Sequence, residues 1–114
     1  MRPTIFGIPN CDTIKKARDW LERHQIEYRF HDYRKDGVPR ELLEAWIKEL
    51  GWDVLLNRNG TTFRKLPDSD KIGLNAAKAM ALMCAQPSLI RRPVLDTGLR
   101  RVVGFAPHVY VTLF

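Results

Sequence analysis

Apolar residues recur along this chain in blocks whose spacing changes from one block to the next. Ile5, Phe6 and Ile8 stand together around Gly7 and stop at Pro9, the pattern of a short, fully buried strand. Ile14, Ala17 and Leu21 follow at i, i+3 and i+7, which is one stripe of an amphipathic helix. Asn10 is its expected N-cap, and Cys11 falls in the first turn. Ile26, Tyr28 and Phe30 then alternate with Glu27, Arg29 and His31, which predicts a half-buried strand. Strand, helix and strand in so short a span predict a parallel βαβ unit with a right-handed crossover.

Residues 34–40 read as a turn, with Pro39 placed to open a second helix. Leu43, Trp46, Ile47 and Leu50 form the apolar face of that helix, and Gly51 is its natural stop. A short apolar piece, Val54-Leu55-Leu56, precedes the polar loop Asn57-Arg58-Asn59-Gly60. Asn75 caps a third long helix on whose expected stripe stand Ala77, Met80, Ala81 and Cys84, and Pro87 ends it. Val94-Leu95 and Val102-Val103 flank Thr97-Gly98 as two strands of a hairpin. The last segment has strand-forming Val109, Tyr110 and Val111, but Pro107 suits a first helical position and the 109/113 pairing suits a helix face; we read it as a helix. The order βαβ, several helices, then ββα predicts an α/β fold with one mixed sheet and helices on both faces.

The chain has 114 residues, 45% hydrophobic and 28% charged, which fits one ordinary folded domain and excludes disorder. Its longest uncharged apolar-rich stretch, Ala79 to Ile90, falls short of the roughly 20 residues that span a bilayer. The start lacks the apolar run of a secretory signal, and two distant cysteines make no disulfide framework, so a cytoplasmic location and no membrane partner are expected. A formal charge of +6 fits a solvated basic surface best, and also suits nucleic acid, an acidic protein or a small anion. The cations come in pairs such as Lys15-Lys16 and Arg91-Arg92, without interleaved aromatics, so no nucleic-acid partner is expected.

Only Cys11 has an unusual setting. It lies between the end of a strand and the start of a helix, where unpaired N–H groups and the helix dipole favour negative charge. A thiol there is drawn toward thiolate, the form that attacks disulfides. Lys15, four residues on, is placed to bring an ammonium over the same end. The position also suits a small buried cysteine with no chemistry. Ile14 stands where a Cys-x-x-Cys partner would be, so a reactive Cys11 works as a monothiol with an external thiol. Cys84 reads as a core residue. His24, His31 and His108 lack the close spacing of a zinc site, and no metal is expected.

Several stretches together resemble the arsenate reductase/Spx (ArsC-like) family of thioredoxin-like proteins, and within it the small YffB branch. They are Gly7-Ile8-Pro9-Asn10-Cys11-Asp12-Thr13-Ile14-Lys15-Lys16-Ala17 and Leu56-Asn57-Arg58-Asn59-Gly60-Thr61-Thr62-Phe63-Arg64. Gly73-Leu74, Lys78-Ala79, Pro87-Ser88-Leu89-Ile90-Arg91-Arg92-Pro93-Val94-Leu95 and Val103-Gly104-Phe105 continue the likeness in order. The resemblance implies a single thioredoxin-like domain over 1–114 with a helical insertion at about 34–90. It also implies a nucleophilic Cys11, with Arg92 lining the site and a cis Arg92–Pro93 peptide facing the sulfur.

This sequence departs from the arsenate reductases in that family. Asn57 or Asn59 stands where a middle-loop arginine is expected, with Arg58 beside them. Phe105-Ala106-Pro107 replaces a C-terminal arginine, and Gly7 replaces a histidine. A site with fewer cations binds an arsenate dianion less well. The function the resemblance implies is therefore a glutathione-dependent monothiol thiol–disulfide oxidoreductase acting through a mixed disulfide on Cys11. Glutathione or another small thiol serves as co-substrate with no tightly bound cofactor, and the resemblance leaves the disulfide or oxidised substrate unnamed. Lys15, Arg92 and Arg58 are the expected contacts for the anionic ends of glutathione, with Asn10, Thr13 and Pro93 beside the sulfur. A Spx-like regulator binding RNA polymerase is the alternative, and arsenate reduction comes third.

Overall fold

β1 (Thr4–Gly7) is the strand around which the sheet is built, in a computed structural model that describes residues 2–114. It pairs in parallel with β2 (Arg29–Asp32) on one side and antiparallel with β3 (Val94–Asp96) on the other. β4 (Arg101–Val103) continues beyond β3, giving the order β2-β1-β3-β4. Strands on both edges explain the unbroken apolar run at Ile5, Phe6 and Ile8, each at most 5% exposed.

The register puts Phe30, Ile5, Leu95 and Val102 on one rung across all four strands. Those side chains face α1 (Asp12–Arg23), whose Ile14, Ala17 and Leu21 complete the core together with Tyr110 of α8 (Pro107–Tyr110). Trp20 and Phe105 both meet the Tyr110 ring edge to face, at 5.5 and 4.8 Å between centroids. Burying a side chain such as Leu21 contributes about 1.5–3 kcal/mol.

Two local expectations are corrected in this unit. Asn10 is not the cap of α1; Cys11 is, because Asn10 has φ 64° and lacks the extended backbone of a capping residue. β2 is shorter than the alternation Ile26–His31 predicts. The ladder starts at Thr4↔Arg29, and β1 has no earlier rung for residues 26–28 to pair with. Ile26 instead closes α1 through its N–H to the Leu21 carbonyl. Residues 34–40 are likewise not all turn: α2 (Tyr33–Asp36) forms there, capped by the Asp32 carboxylate on the Arg34 N–H.

This first unit comprises the chain up to Gly37 together with Arg92–Phe114, and a second compact unit runs from Val38 to Arg91. In the second, α3 (Arg40–Leu50) buries Leu43 and Trp46 and stops at Gly51, whose φ of 95° lies in the left-handed region. One-turn helices α4 (Trp52–Leu55), α5 (Thr61–Arg64) and α6 (Asp68–Lys71) follow. α7 (Ala76–Ala85) starts at Asn75, whose side chain accepts the Lys78 N–H at 2.8 Å, and a 3-10 turn over Pro87–Leu89 follows it. The buried face of α7 is Ala79 and Met83, whereas Ala77 and Ala81 are exposed and Met80 and Cys84 half-buried. Cys84 is thus not the core residue that its spacing suggested. The helix is apolar nearly all round, so spacing along it does not single out a face and packing does. No helix among the described residues is long and apolar enough to cross a membrane.

Candidate functional site

Cys11 sits with φ −116° and ψ 128°, an extended residue one step before α1, and its carbonyl accepts the Lys15 N–H at 3.0 Å. Its sulfur therefore stands where a capping oxygen normally does. A neutral thiol is a weak acceptor and makes no regular cap bond; the ionised sulfur is a strong one. Partial burial pushes the thiol pKa up, but the Ile14 amide, the Arg92 side chain and the Thr13 amide favour the ionised sulfur and bring it down, and the Arg92 charge adds to them. The net result is a thiol held below its ordinary value, so more of it is nucleophile at neutral pH.

Three neighbours fix this arrangement. Ile14, 1% exposed, is locked in the core, which holds the first turn of α1, and with it the Ile14 amide, in place. Gly7 leaves the space that Ile14 fills: a Cβ on Gly7 would lie 2.3 Å from Ile14 Cδ1. The Arg92–Pro93 peptide is cis, as the resemblance implies, and the Pro93 carbonyl accepts the Gly104 N–H at 2.8 Å.

Of the residues singled out from the sequence, Cys11, Thr13 and Arg92 come together at the start of α1 and the approach to β3, with Pro93 joined to Arg92 by the cis peptide. Asn10 is exposed immediately before the sulfur. Lys15 is exposed too, and it is Arg92 rather than Lys15 whose cation acts on the thiol. Arg58 belongs to the second unit, where its guanidinium lies 5.7 Å from the Trp52 ring centroid. Among the described residues no group of three or more His, Cys, Asp or Glu side chains could hold a metal ion.

Tyr33 escaped the sequence reading. It is 2% exposed, its ring is stacked with Phe6 at 6.4 Å, and it lies edge-on to His31 at 5.9 Å. Its hydroxyl is buried without a hydrogen-bond partner, a state that costs about 1–3 kcal/mol. Burial pushes its pKa up, and the Arg92 charge pulls it back slightly. The signal that points to it is topological: Tyr33 follows β2 directly, at the same carboxyl edge of the parallel pair from which β1 leads to Cys11, the edge where α/β sheets bind ligands.

Known proteins share this architecture. A model of the ArsC family matches residues 6–113. The solved structure of a protein named YffB is 53% identical with a TM-score of 0.94, and the match covers 96% of each chain. An arsenate reductase (ArsC) related protein from Brucella melitensis is also 53% identical, with a TM-score of 0.79, over 98% of this chain and 93% of that one. A protein of Streptococcus mutans named global transcriptional regulator Spx is 31% identical over 104 residues, covering 90% of this chain and 75% of its own. The mixed four-stranded sheet with flanking helices is accordingly the thioredoxin-like fold expected from the sequence.

Proposed function

Because this chain belongs to the ArsC family, we propose that it is a glutathione-linked monothiol thiol–disulfide oxidoreductase with Cys11 as its nucleophile. The observation that carries this reading is the Cys11 sulfur, favoured as thiolate by the Ile14 and Thr13 amides and by Arg92. The position three residues on is a buried isoleucine, so α1 offers no second thiol to resolve an intermediate.

In the proposed cycle the Cys11 thiolate attacks one sulfur of a substrate disulfide. The S–S bond breaks, the departing sulfur leaves as thiolate and takes a proton, and Cys11 is left in a mixed disulfide. A glutathione thiolate then attacks that disulfide and regenerates the Cys11 thiolate. A second glutathione completes the two-electron reduction and leaves oxidised glutathione. Arg92 steadies the thiolate before attack and again as it departs, while Asn10, Thr13 and Pro93 border the sulfur.

Intact-mass measurement after exposure to oxidised glutathione tests this directly. The expected result is one glutathione added to the wild type and none to Cys11→Ser. An unmodified wild type, or an equally modified Cys11→Ser, overturns it. The likeness to Spx supports a second reading, transcriptional regulation through RNA polymerase. Recovery of polymerase with wild type and Cys11→Ser alike, without glutathione addition, favours that reading.

A further inference from the structure

The backbone registers bring two polar groups to the same level, that of Ile8, and the charge of one of them, Arg92, acts on both Cys11 and Tyr33. The parallel ladder ends at Gly7↔Asp32, so Tyr33 follows at the level of Ile8 on one side of β1. The antiparallel ladder contains Phe6↔Val94, so Arg92 reaches that level on the other side. Adjacent strands lie about 4.8 Å apart, which sets these two backbones about 10 Å apart across β1. Long side chains from both sites can converge on one small group. Arg92 is half-exposed, and the Tyr33 hydroxyl is buried with no hydrogen-bond partner.

Resting on the oxidoreductase reading above, we propose that Tyr33 is a specificity-determining residue: its unpartnered hydroxyl and the Arg92 guanidinium together take a carboxylate of the disulfide substrate. The preferred substrate class is then a disulfide carrying carboxylates close to its sulfurs, of which oxidised glutathione is one, over uncharged disulfides. The hydroxyl is the right donor for this task. Burial among Phe6 and His31 keeps it protonated, so it has a hydrogen to offer an anion. The hydrophobic packing already accounts for the ring, and it leaves the oxygen without a role.

The step measured is attack of the Cys11 thiolate on oxidised glutathione, giving the Cys11–glutathione disulfide and one glutathione thiolate. Rates are compared for oxidised glutathione and for uncharged bis(2-hydroxyethyl) disulfide, in the wild type and in Tyr33→Phe, which removes only the oxygen. The wild-type preference for oxidised glutathione is expected to fall about tenfold in Tyr33→Phe, the worth of a hydrogen bond to a charged group, with the uncharged disulfide unaffected. The melting temperature of Tyr33→Phe should match or exceed that of wild type. Equal rates in the two proteins, or an equal fall with both disulfides, overturns the proposal.

A second arm needs no variant: the wild type should react about tenfold more slowly with the tetraethyl ester of oxidised glutathione than with the acid. Equal rates with acid and ester also overturn the proposal. Failure of Cys11 to react with any of these disulfides removes the oxidoreductase reading itself. Reaction with all of them at one rate removes only the role of Tyr33.

Discussion

The two cysteines lie in different units, and their helices treat them in opposite ways. Cys11 precedes α1, where N–H groups point outward, and the side chain and charge of Arg92 favour its ionised sulfur. Cys84 is in the last turn of α7, whose end presents carbonyl groups rather than N–H groups. Both are half-buried and both are free thiols, so neither exposure nor oxidation state separates them. The direction of the backbone dipoles and one cation do. A cysteine's chemistry is set by which end of a helix it occupies and what charge the fold brings beside it.

The largest expected effect breaks this contrast outright. Cys11→Ser should abolish glutathione addition, whereas Cys84→Ser should leave it intact, as read by intact mass. Equal loss in both would erase the distinction. Next in size is the core of the second unit. Met83→Ala should cost about 2–5 kcal/mol in denaturant unfolding, against about 0.5 kcal/mol or less for the exposed Ala81→Glu on the same helix. A reversed order would show that α7 packs by the stripe its spacing suggests.

Arg92→Ala should slow alkylation of Cys11 by iodoacetamide at neutral pH roughly tenfold, with Arg92→Lys between it and wild type. Asn75→Ala, which removes the cap of α7, should cost about 1 kcal/mol in the same unfolding experiment. The smallest effect is a pH slope. The folded state holds the Cys11 thiol below its unfolded value, so the unfolded state binds more protons between the two. Stability from this group is complete above the unfolded pKa and disappears as pH falls through the folded pKa. The stability difference between wild type and Cys11→Ser should therefore shift in favour of wild type as pH rises through that window. A difference independent of pH would mean the thiol is not selectively ionised in the fold.

Much of the fold was legible because its signals are local. Ile14, Ala17 and Leu21 form the buried stripe of α1, Val94 and Val102 fall in paired strands around Thr97-Gly98, and Asn75 caps its helix. Each of these features is decided within a few residues by side-chain period or by turn and cap chemistry. Elements of one turn, such as α5 and α6, were missed because four residues are too few to display a period. The start of β2 was misjudged because a strand extends only as far as its partner does, and the partner is 25 residues away at Thr4↔Arg29.

The sequence by itself determined that a lone cysteine stands at a helix start with no second thiol in its first turn. Backbone N–H groups gather at any such start, so this much is local physics. Only the tertiary structure decided that Arg92 rather than Lys15 acts on the sulfur, and that the Tyr33 hydroxyl is buried without a partner within reach of the Arg92 charge. Those choices follow from the β2–β1–β3 register, which carries residues far apart in the chain to one sheet edge. No spacing along the chain encodes that register, because it is the hydrogen bonding and packing of distant strands that sets it.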